Sequence, residues 1–496
     1  MPIRTSMDDP VEIELKLEFD PTERDRLATC GLLGSEVATP LRLAASYFDT
    51  PDCRLDAAGY SLRIRRQGGK RIQTVKAASK DAAGLFVRGE WERPVTTDKP
   101  LFDERSGPLS QLFDAATLDR VVPLFTTTVE RLTGLVDGAD GAQIEYAIDM
   151  GEVRAGARSS AISEVELELK QGAPQALFEF ARALNERIPL RLGVLAKSER
   201  GYALVRNVST SATKAEPLRL EETMTAADGF AAIASSCIRQ YRRNEDLLLL
   251  SGGIEPVHQA RVALRRLRSA FWLFGPLLAG DDRSAMFAAE LRWLAGELGE
   301  VRDIDVLLPD LDGAARSTLA GIREHRFDHV RTLLGEGRVR MLPVEMAEWL
   351  SMGRWRTAPP DPDLCGRDIR SFAGARLDRL RKRIKQEGQG LSILDDHHRH
   401  EVRKDAKKLR YATEFFASLY PGRKPRRRMK HFLDRLEALQ DTLGRLNDIA
   451  AAPGLFERLG LETVPPVPGK KERRRLLEDA EDCFESLVDS KRFWHD

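Results

Sequence analysis

The chain has 496 residues, of which 42% are hydrophobic and 31% charged, with 78 basic and 77 acidic residues. This length predicts more than one domain, and the hydrophobic fraction excludes wholesale disorder. No apolar run approaches the roughly 18 residues that span a bilayer, and the first residues lack the apolar core of a secretory signal. The five cysteines are too far apart for a disulfide framework or a cysteine zinc site, so we expect a cytoplasmic protein.

Hydrophobic and charged residues alternate up to about residue 206, which is typical of strands with one charged face. In the segment 11–19, Glu12, Glu14 and Lys16 lie on one face and apolar residues on the other. The alternation recurs at 60–67, 71–77, 86–95, 127–136 and 164–170, and helical spacing occurs at 21–29 and 174–187. We predict an antiparallel sheet of about eight strands that closes into a barrel with a few flanking helices.

Residues 207–217 form a polar linker, and beyond it the spacing of apolar residues is helical. This second part contains an internal repeat. HQARVALRRLR at 258–268 matches HEVRKDAKKLR at 400–410, and LGEVRDID at 298–305 matches LGRLNDIA at 443–450. The repeat predicts two four-helix bundles related by a pseudo-twofold axis. The predicted fold is therefore α+β, with a barrel domain at 1–206 and an all-α domain at 218–496.

The charged strand faces predict chemistry if they point into the barrel. Buried charges of one sign are prohibitive, so such a tunnel must pair them or hold ions. Paired carboxylates suit Mg²⁺, and lysine and arginine suit phosphate oxygens. All eight histidines lie at or beyond residue 258, so metal-activated water is the natural nucleophile in the barrel. The alternative is a half-exposed sheet with a solvated charged face.

The segment EIELK at 12–16 has the form E-x-E-x-K and resembles the signature of the CYTH domain, the fold of the triphosphate tunnel metalloenzymes. Further segments resemble that family in the same order, so that the resemblance covers nearly all of residues 11–204. These segments are SYFDTPDCRL, YSLRIRRQ, IQTVKA, RGEWERPV, IEYAIDMGEVRAG, EVELELKQG and LAKSERGYAL.

The resemblance implies roles for individual residues. Triphosphate would be bound by Lys16, Arg63, Arg65, Lys76, Arg131 and Lys197. Mg²⁺, or Mn²⁺ as an alternative, would be held by Glu12, Glu14, Asp149, Glu164, Glu166 and Glu168. Catalysis would depend on Glu12, Glu14, Lys16, Lys76, Glu166 and Glu168. Less decisive positions are Arg88, Glu90, Glu92 and Arg200. Ala196 departs from the family, in which many members have serine.

The repeated segments carry a basic stripe. His258, Arg261, Arg265 and Arg268 are spaced to share one helix face, and the segment 400–410 repeats this spacing. A single charged stripe is usually a solvated helix face. Two matching stripes of like charge favour an anion that compensates them, because like charges three or four residues apart repel.

The segments HQARVALRRLRSAFWLF and HHRHEVRKDAKKLRYATEFF resemble the two halves of the CHAD domain, the conserved histidine α-helical domain, over about residues 220–490. The resemblance implies binding of inorganic polyphosphate. The implied ligands are His258, Arg261, Arg265, Arg266, Arg268, His400, Arg403, Lys404, Lys407, Lys408 and Arg410. Nucleic acid is the alternative polyanion, but the absence of a helix-turn-helix pattern and only seven tyrosines argue against it.

Together the resemblances predict a Mg²⁺-dependent inorganic triphosphatase, similar to bacterial CYTH-CHAD inorganic triphosphatases. This hydrolase would cleave tripolyphosphate to pyrophosphate and phosphate in the tunnel, while the helical domain binds polyphosphate. The alternatives are a non-catalytic polyphosphate-binding or scaffold protein and a CYTH enzyme that acts on ATP or thiamine triphosphate. The expected partners are triphosphate and polyphosphate, with no membrane, and the expected location is the cytoplasm, with polyphosphate granules as a further site.

Overall fold

The computed structural model describes residues 11–33, 40–77, 83–103, 108–208, 211–460 and 469–495. The chain folds into two compact units. Unit 1 comprises residues 1–213 and 333–352, and unit 2 comprises residues 214–332 and 353–496. The change from one unit to the other thus falls inside the predicted linker, of which residues 209 and 210 lie outside the described residues. The predicted domain boundaries themselves stay a prediction.

The described strands are β1 (Val11–Phe19), β2 (Leu41–Asp49), β3 (Tyr60–Gln67), β4 (Lys70–Ala77), β5 (Leu85–Pro94), β6 (Val122–Asp137), β7 (Gln143–Ala155), β8 (Arg158–Gln171) and β9 (Leu190–Leu192). The described helices among residues 1–213 are α1 (Arg24–Ala28), α2 (Arg54–Ala57), α3 (Leu109–Leu112), α4 (Ala115–Leu118), α5 (Gln175–Arg187) and α6 (Lys197–Val205). Those that follow are α7 (Ala226–Ser251), α8 (Ile254–Leu273), α9 (Asp282–Leu307), α10 (Gly313–Gly335), α11 (Gly337–Met352), α12 (Arg354–Thr357), α13 (Pro362–Cys365), α14 (Ile369–Glu387), α15 (Asp396–Phe416), α16 (Arg423–Leu459) and α17 (Lys470–Val488).

The sheet of unit 1 is an antiparallel barrel. Its strand order is β5-β4-β3-β2-β6-β7-β8-β1, and β5 pairs back onto β1 to close the ring, while the short β9 adds to β1. The predicted closed sheet is confirmed. The register sets charges of opposite sign beside each other, with Lys16 opposite Glu166 and Arg131 opposite Asp149. Strand pairing therefore brings distant parts of the sequence into one charged interior.

The hydrophobic core lies both outside the barrel and at one end of it. Outside, Leu62, Ile64 and Val75 of β3 and β4 pack with Leu55 of α2 and Leu109 of α3. The strand faces that carry the inward charges become apolar further along, where they pack against Tyr202 and Leu204 of α6. Helix α6 therefore packs against the apolar end of the barrel interior, beside the charged part.

Unit 2 is built from helices, and the repeated segments fall on corresponding ones. The two basic stripes lie on α8 and α15, which pack against each other, and the two LG segments lie on α9 and α16. The predicted helical C-terminal region is confirmed. In the part of the chain that the structure describes, no helix is both long enough and apolar enough to cross a bilayer.

Helix α11 interrupts the helices of unit 2 in sequence but belongs to unit 1, where it packs on α5 and β9. Arg182 of α5 binds two carboxylates of α11, at 3.3 Å from Glu345 and 3.2 Å from Glu348. Apolar residues of α11, among them Val344 and Met346, are almost completely buried. The barrel unit therefore includes a segment that comes more than a hundred residues after its other elements.

We expect a fragment of residues 1–213 to be less stable than the same fragment joined to residues 333–352 by a flexible linker. The loss should be about 3 kcal/mol or more, the scale of exposing one or two large apolar side chains. Urea unfolding of the two fragments measures the difference in free energy. Equal unfolding midpoints would show that α11 does not stabilise the barrel.

Candidate functional site

The interior of the barrel is a cavity of about 570 Å³ lined mainly by charged side chains. Basic and acidic groups occur there in nearly equal number, contributed by β1 and by β3 to β8 together with the start of α6. The charged residues of the lining are Glu12, Glu14, Lys16, Arg63, Arg65, Lys76, Arg88, Glu90, Glu92, Arg131, Glu145, Glu166, Glu168, Lys170 and Lys197. This composition fits a highly charged ligand rather than an apolar one.

Three carboxylates form the acidic centre of the site. Asp149 of β7 and Glu164 and Glu166 of β8 each offer an oxygen, and these oxygens lie within 4.8 Å of one another. Lys16 donates to Glu164 at 2.8 Å and to Glu166 at 2.5 Å. Lys197, the first residue of α6, lies 2.7 Å from both Glu166 and Asp149 and also donates to Glu164. Two ammonium groups thus hold three carboxylates together.

Arg131 completes this group by donating to both oxygens of Asp149, at 2.7 and 2.6 Å, and to Glu166 at 2.7 Å. Burial opposes the ionisation of Glu166, but its attraction to Lys16, Lys197 and Arg131 outweighs burial and holds the pKa of Glu166 well below its usual range. The pKa of Asp149 is lowered as well, since Lys197 and Arg131 outweigh the effect of burial. Both carboxylates are therefore ionised at neutral pH.

A second network surrounds the carboxylates of β1. Lys76 donates to both oxygens of Glu12, at 2.9 and 2.8 Å, and lies 3.1 Å from Glu90. Arg88 reaches Glu12 at 3.2 Å and Glu14 at 3.4 Å. Glu14 is also 3.4 Å from Lys16, which joins this network to the acidic centre.

The two arginines of β3 have weaker partners. Arg65 is 3.7 Å from Glu92, and no carboxylate of the described residues lies within ion-pair distance of Arg63. The Nε atoms of both arginines are buried without a hydrogen-bond partner among the described residues. The cavity therefore has one wall that carries positive charge available for an anion and another that is rich in carboxylates.

Unit 2 contains a basic cluster of Arg261, Arg265, Arg403 and Lys407. Burial, together with repulsion by Arg265, Arg403 and Arg261, lowers the pKa of Lys407 to about 7. Arg261 lies 3.1 Å from Asp303, and Asp448 of α16 offers the cluster some attraction. Arginines of α8 repel Lys407 of α15, so the basic stripes of both helices meet in one cluster. The nearby carboxylates do not neutralise its positive charge.

Comparison with known families agrees with these geometries. Residues 11–202 match the family model of the CYTH domain, and residues 232–457 match that of the CHAD domain. The chain carries a CYTH domain followed by a CHAD domain.

An inorganic triphosphatase of Haemophilus influenzae is 34% identical over 200 residues, which are 39% of this chain and 54% of that protein. The match thus spans about half the length of this relative. A solved CHAD domain from the plant Ricinus communis is 24% identical and covers 57% of this chain and 93% of its own, with a TM-score of 0.45. A Hippeastrum protein with a dominant triphosphatase activity is 17% identical and covers 40% of this chain and 95% of its own, with a TM-score of 0.30.

Within the CYTH domain, the predicted substrate and catalytic residues all line this cavity, and the fully buried Asp149 and Glu164 contact its lysines. Three of the predicted metal ligands lie outside the acidic centre of Asp149, Glu164 and Glu166. Glu12 and Glu14 belong to the network around Lys76 and Arg88, and Glu168 accepts from Lys170 at 2.6 Å. The less decisive Arg88, Glu90 and Glu92 also line the cavity, whereas Arg200 pairs with Glu18.

Glu145 and Lys170 also line the cavity, although neither is among the predicted site residues. Lys170 of β8 contacts Glu145 of the neighbouring β7 at 2.9 Å as well as Glu168 of its own strand. A signal for Lys170 was present, since it continues the alternation of Glu164, Glu166 and Glu168 along one strand. Glu145 lies opposite Glu168 in the register, which the sequence does not reveal.

Within the CHAD domain, the predicted ligands separate into two groups. One group forms the cluster, in which positive charges repel one another: Arg261, Arg265, Arg403 and Lys407. Arg268 belongs to the same group, because the charges of Arg261 and Arg265 repel it. The remaining basic residues have local partners. Arg266 is buried and donates to Gln240, Lys404 pairs with Glu401, Lys408 with Asp405 and Arg410 with Glu414.

The two repeated histidines have different surroundings. His400 Nδ1 lies 2.6 Å from the Asn447 side-chain oxygen. Burial and the charge of Arg302 lower the pKa of His258. Arg292, which repels Arg268, was missed because it lies outside both repeated segments. Neither histidine belongs to a group of possible metal ligands among the described residues.

Proposed function

We propose that the CYTH domain is a Mg²⁺-dependent inorganic triphosphatase that hydrolyses tripolyphosphate to pyrophosphate and phosphate. The observation that carries this proposal is a single cavity in which a buried carboxylate group faces arginines without strong partners. The name of the Haemophilus influenzae relative points to the same reaction.

The carboxylates of the cavity fit a hard divalent cation. Their oxygens converge at Asp149, Glu164 and Glu166, and buried oxygens of Glu14 and Glu164 have no hydrogen-bond partner among the described residues. Oxygen ligands of this kind suit Mg²⁺ and also Mn²⁺. Glu14, Glu164 and Glu166 would hold the ion with support from Asp149, and Glu12 and Glu168 stay predicted as further ligands. The ion would supply a bound water of lowered pKa and neutralise phosphate charge.

The protein's own cations would bind and orient the substrate. Arg63 and Arg65 offer guanidinium groups that suit phosphate oxygens, since a planar fork can bind two oxygens at once. Lys76, Arg131 and Lys197 would neutralise the rest of the phosphate chain. These cations already pair with carboxylates, so phosphate oxygens of the substrate would replace carboxylate oxygens as their partners. Fewer buried charges are then unpaired before and after the substrate binds.

The decisive experiment measures phosphate release from tripolyphosphate, long-chain polyphosphate, ATP and thiamine triphosphate. We expect turnover that strongly favours tripolyphosphate, stops when EDTA removes the metal, and returns with added Mg²⁺. The same assay with Mn²⁺ compares the two ions. A preference for ATP or thiamine triphosphate would contradict the substrate assignment, and binding without turnover on any of the four would favour a scaffold protein.

We also propose that the CHAD domain binds inorganic polyphosphate. The observation behind this second function is the cluster around Lys407, where positive charges from two helices repel one another without a matching set of carboxylates. A flexible polyanion would relieve that repulsion at several sites at once. Nucleic acid would do so too, and binding competition between the two polyanions separates these ligands.

A further inference from the structure

Arg63 is the cation of the CYTH cavity that lacks a carboxylate partner among the described residues, and a tyrosine lies beside it. Tyr47 is directly opposite Arg63 in the pairing of β2 with β3, so the two side chains are cross-strand neighbours on one face of the sheet. Both side chains line the cavity. A hydroxyl oxygen can accept from a neighbouring guanidinium without cancelling its charge, whereas a carboxylate would cancel it.

Tyr47 itself is held rigidly. Only 3% of it is exposed, and its ring stacks on Phe125 with centroids 4.7 Å apart and an angle of 15° between the planes. Phe125 in turn meets Tyr202 of α6 edge-on, with centroids 5.1 Å apart. A Cβ at Gly201 would lie 2.1 Å from the Phe125 ring, so glycine is required for α6 to approach this closely.

These contacts connect two walls of the cavity. Tyr47 lies beside Arg63 of β3, while its ring, through Phe125, packs against the helix that begins with Lys197. We infer that the Tyr47 hydroxyl accepts a hydrogen bond from Arg63 and that Tyr47 is thereby a positioning residue, which fixes the Arg63 guanidinium to receive a phosphate group of the substrate. The inference rests on the proposed triphosphatase function and assigns a role to a residue that does not itself supply charge.

The physical reason is preorganisation. A long arginine side chain loses much rotamer freedom when it binds a phosphate, and this loss weakens binding. A hydrogen bond that Arg63 donates to the oxygen of a rigid phenol meets that cost before the substrate arrives. Because Arg63 would hold the phosphate equally in the ground state and the transition state, loss of the hydroxyl should raise KM and leave kcat nearly unchanged.

The test is a double-mutant cycle with Tyr47→Phe, Arg63→Ala and the double variant. Tyr47→Phe keeps the aromatic stack and removes only the hydroxyl. We expect it to raise KM for tripolyphosphate by about 3- to 10-fold, the scale of one hydrogen bond, with kcat within twofold. Arg63→Ala should raise KM more, and the double variant should match Arg63→Ala because Tyr47 acts through Arg63.

Tyr146→Phe is the matched control. The Tyr146 hydroxyl donates to the Leu33 carbonyl oxygen at 2.9 Å in the same barrel, and Tyr146 does not line the cavity. Its loss should leave KM unchanged. Additive effects of Tyr47→Phe and Arg63→Ala, or a fall in kcat alone, would overturn the inference.

The result stays separable from the proposed function. If the wild-type protein releases no phosphate, the same cycle is measured by calorimetric titration of tripolyphosphate in EDTA, where weakened binding by Tyr47→Phe only in the presence of Arg63 supports the positioning role. If the wild-type protein turns over but Tyr47→Phe behaves as wild type, the triphosphatase stands and the positioning role fails.

Discussion

Replacing Glu166 with glutamine is expected to lower kcat/KM for tripolyphosphate by at least about 100-fold, because even groups behind metal ligands affect activity by about 10- to 100-fold. Glu166 is the carboxylate on which Lys16, Lys197 and Arg131 converge. The amide is nearly the same size but carries no charge. The change therefore removes a proposed metal ligand and leaves three cations one carboxylate short.

Unfolding could also abolish activity, so tripolyphosphate binding in EDTA serves as the second measurement. With one negative charge removed, a folded Glu166→Gln cavity should bind the metal-free polyanion at least as tightly as wild type. Glu152→Gln is the control on the same sheet. Glu152 lies 2.7 Å from its partner Arg154 and does not line the cavity. Activity above about a tenth of wild type in Glu166→Gln, with binding intact, would contradict the assignment of Glu166.

Polyphosphate binding by the CHAD domain is expected to weaken as the pH rises from 7 to 9, by up to about tenfold per pH unit. Lys407 has a pKa lowered to about 7, so above that pH the free protein loses this charge. A bound polyanion favours the ammonium form, and binding must then take up a proton. Below pH 7 the lysine is already protonated, and its contribution becomes constant.

The groups that face Lys407 are Arg261 and Arg265 of α8, Arg403 of α15 and Asp448 of α16. Arginine and aspartate side chains do not ordinarily titrate between pH 7 and 9. Lys407→Arg should therefore keep affinity at pH 7 and flatten the profile. Lys404→Arg is the matched control, because Lys404 is exposed and already pairs with Glu401.

Calorimetric titration with long-chain polyphosphate across this pH range, at constant ionic strength, measures the effect. An affinity that does not change between pH 7 and 9 would contradict the role of Lys407. Competition by an equal charge concentration of single-stranded DNA would, if complete, replace polyphosphate with nucleic acid as the ligand class.

The sequence alone was sufficient for the main elements and for most of the cavity. Alternation places Glu12, Glu14 and Lys16 on one strand face, because successive side chains of a strand point to opposite sides. The spacing of His258, Arg261 and Arg265 likewise determines one helix face. Both patterns depend on neighbours in the chain, and the repeat and the family resemblances extend the same kind of local information.

Only the tertiary structure decided which charges meet. Arg131 finds Asp149 through the register of β6 with β7, and Lys407 faces Arg265 because two helices from different halves of the repeat pack together. Helix α11 joins the barrel unit although its position in the sequence suggests the other unit. The reason is that a local period determines the direction of a side chain, whereas its partner, its burial and hence its pKa depend on chain segments that only packing brings close.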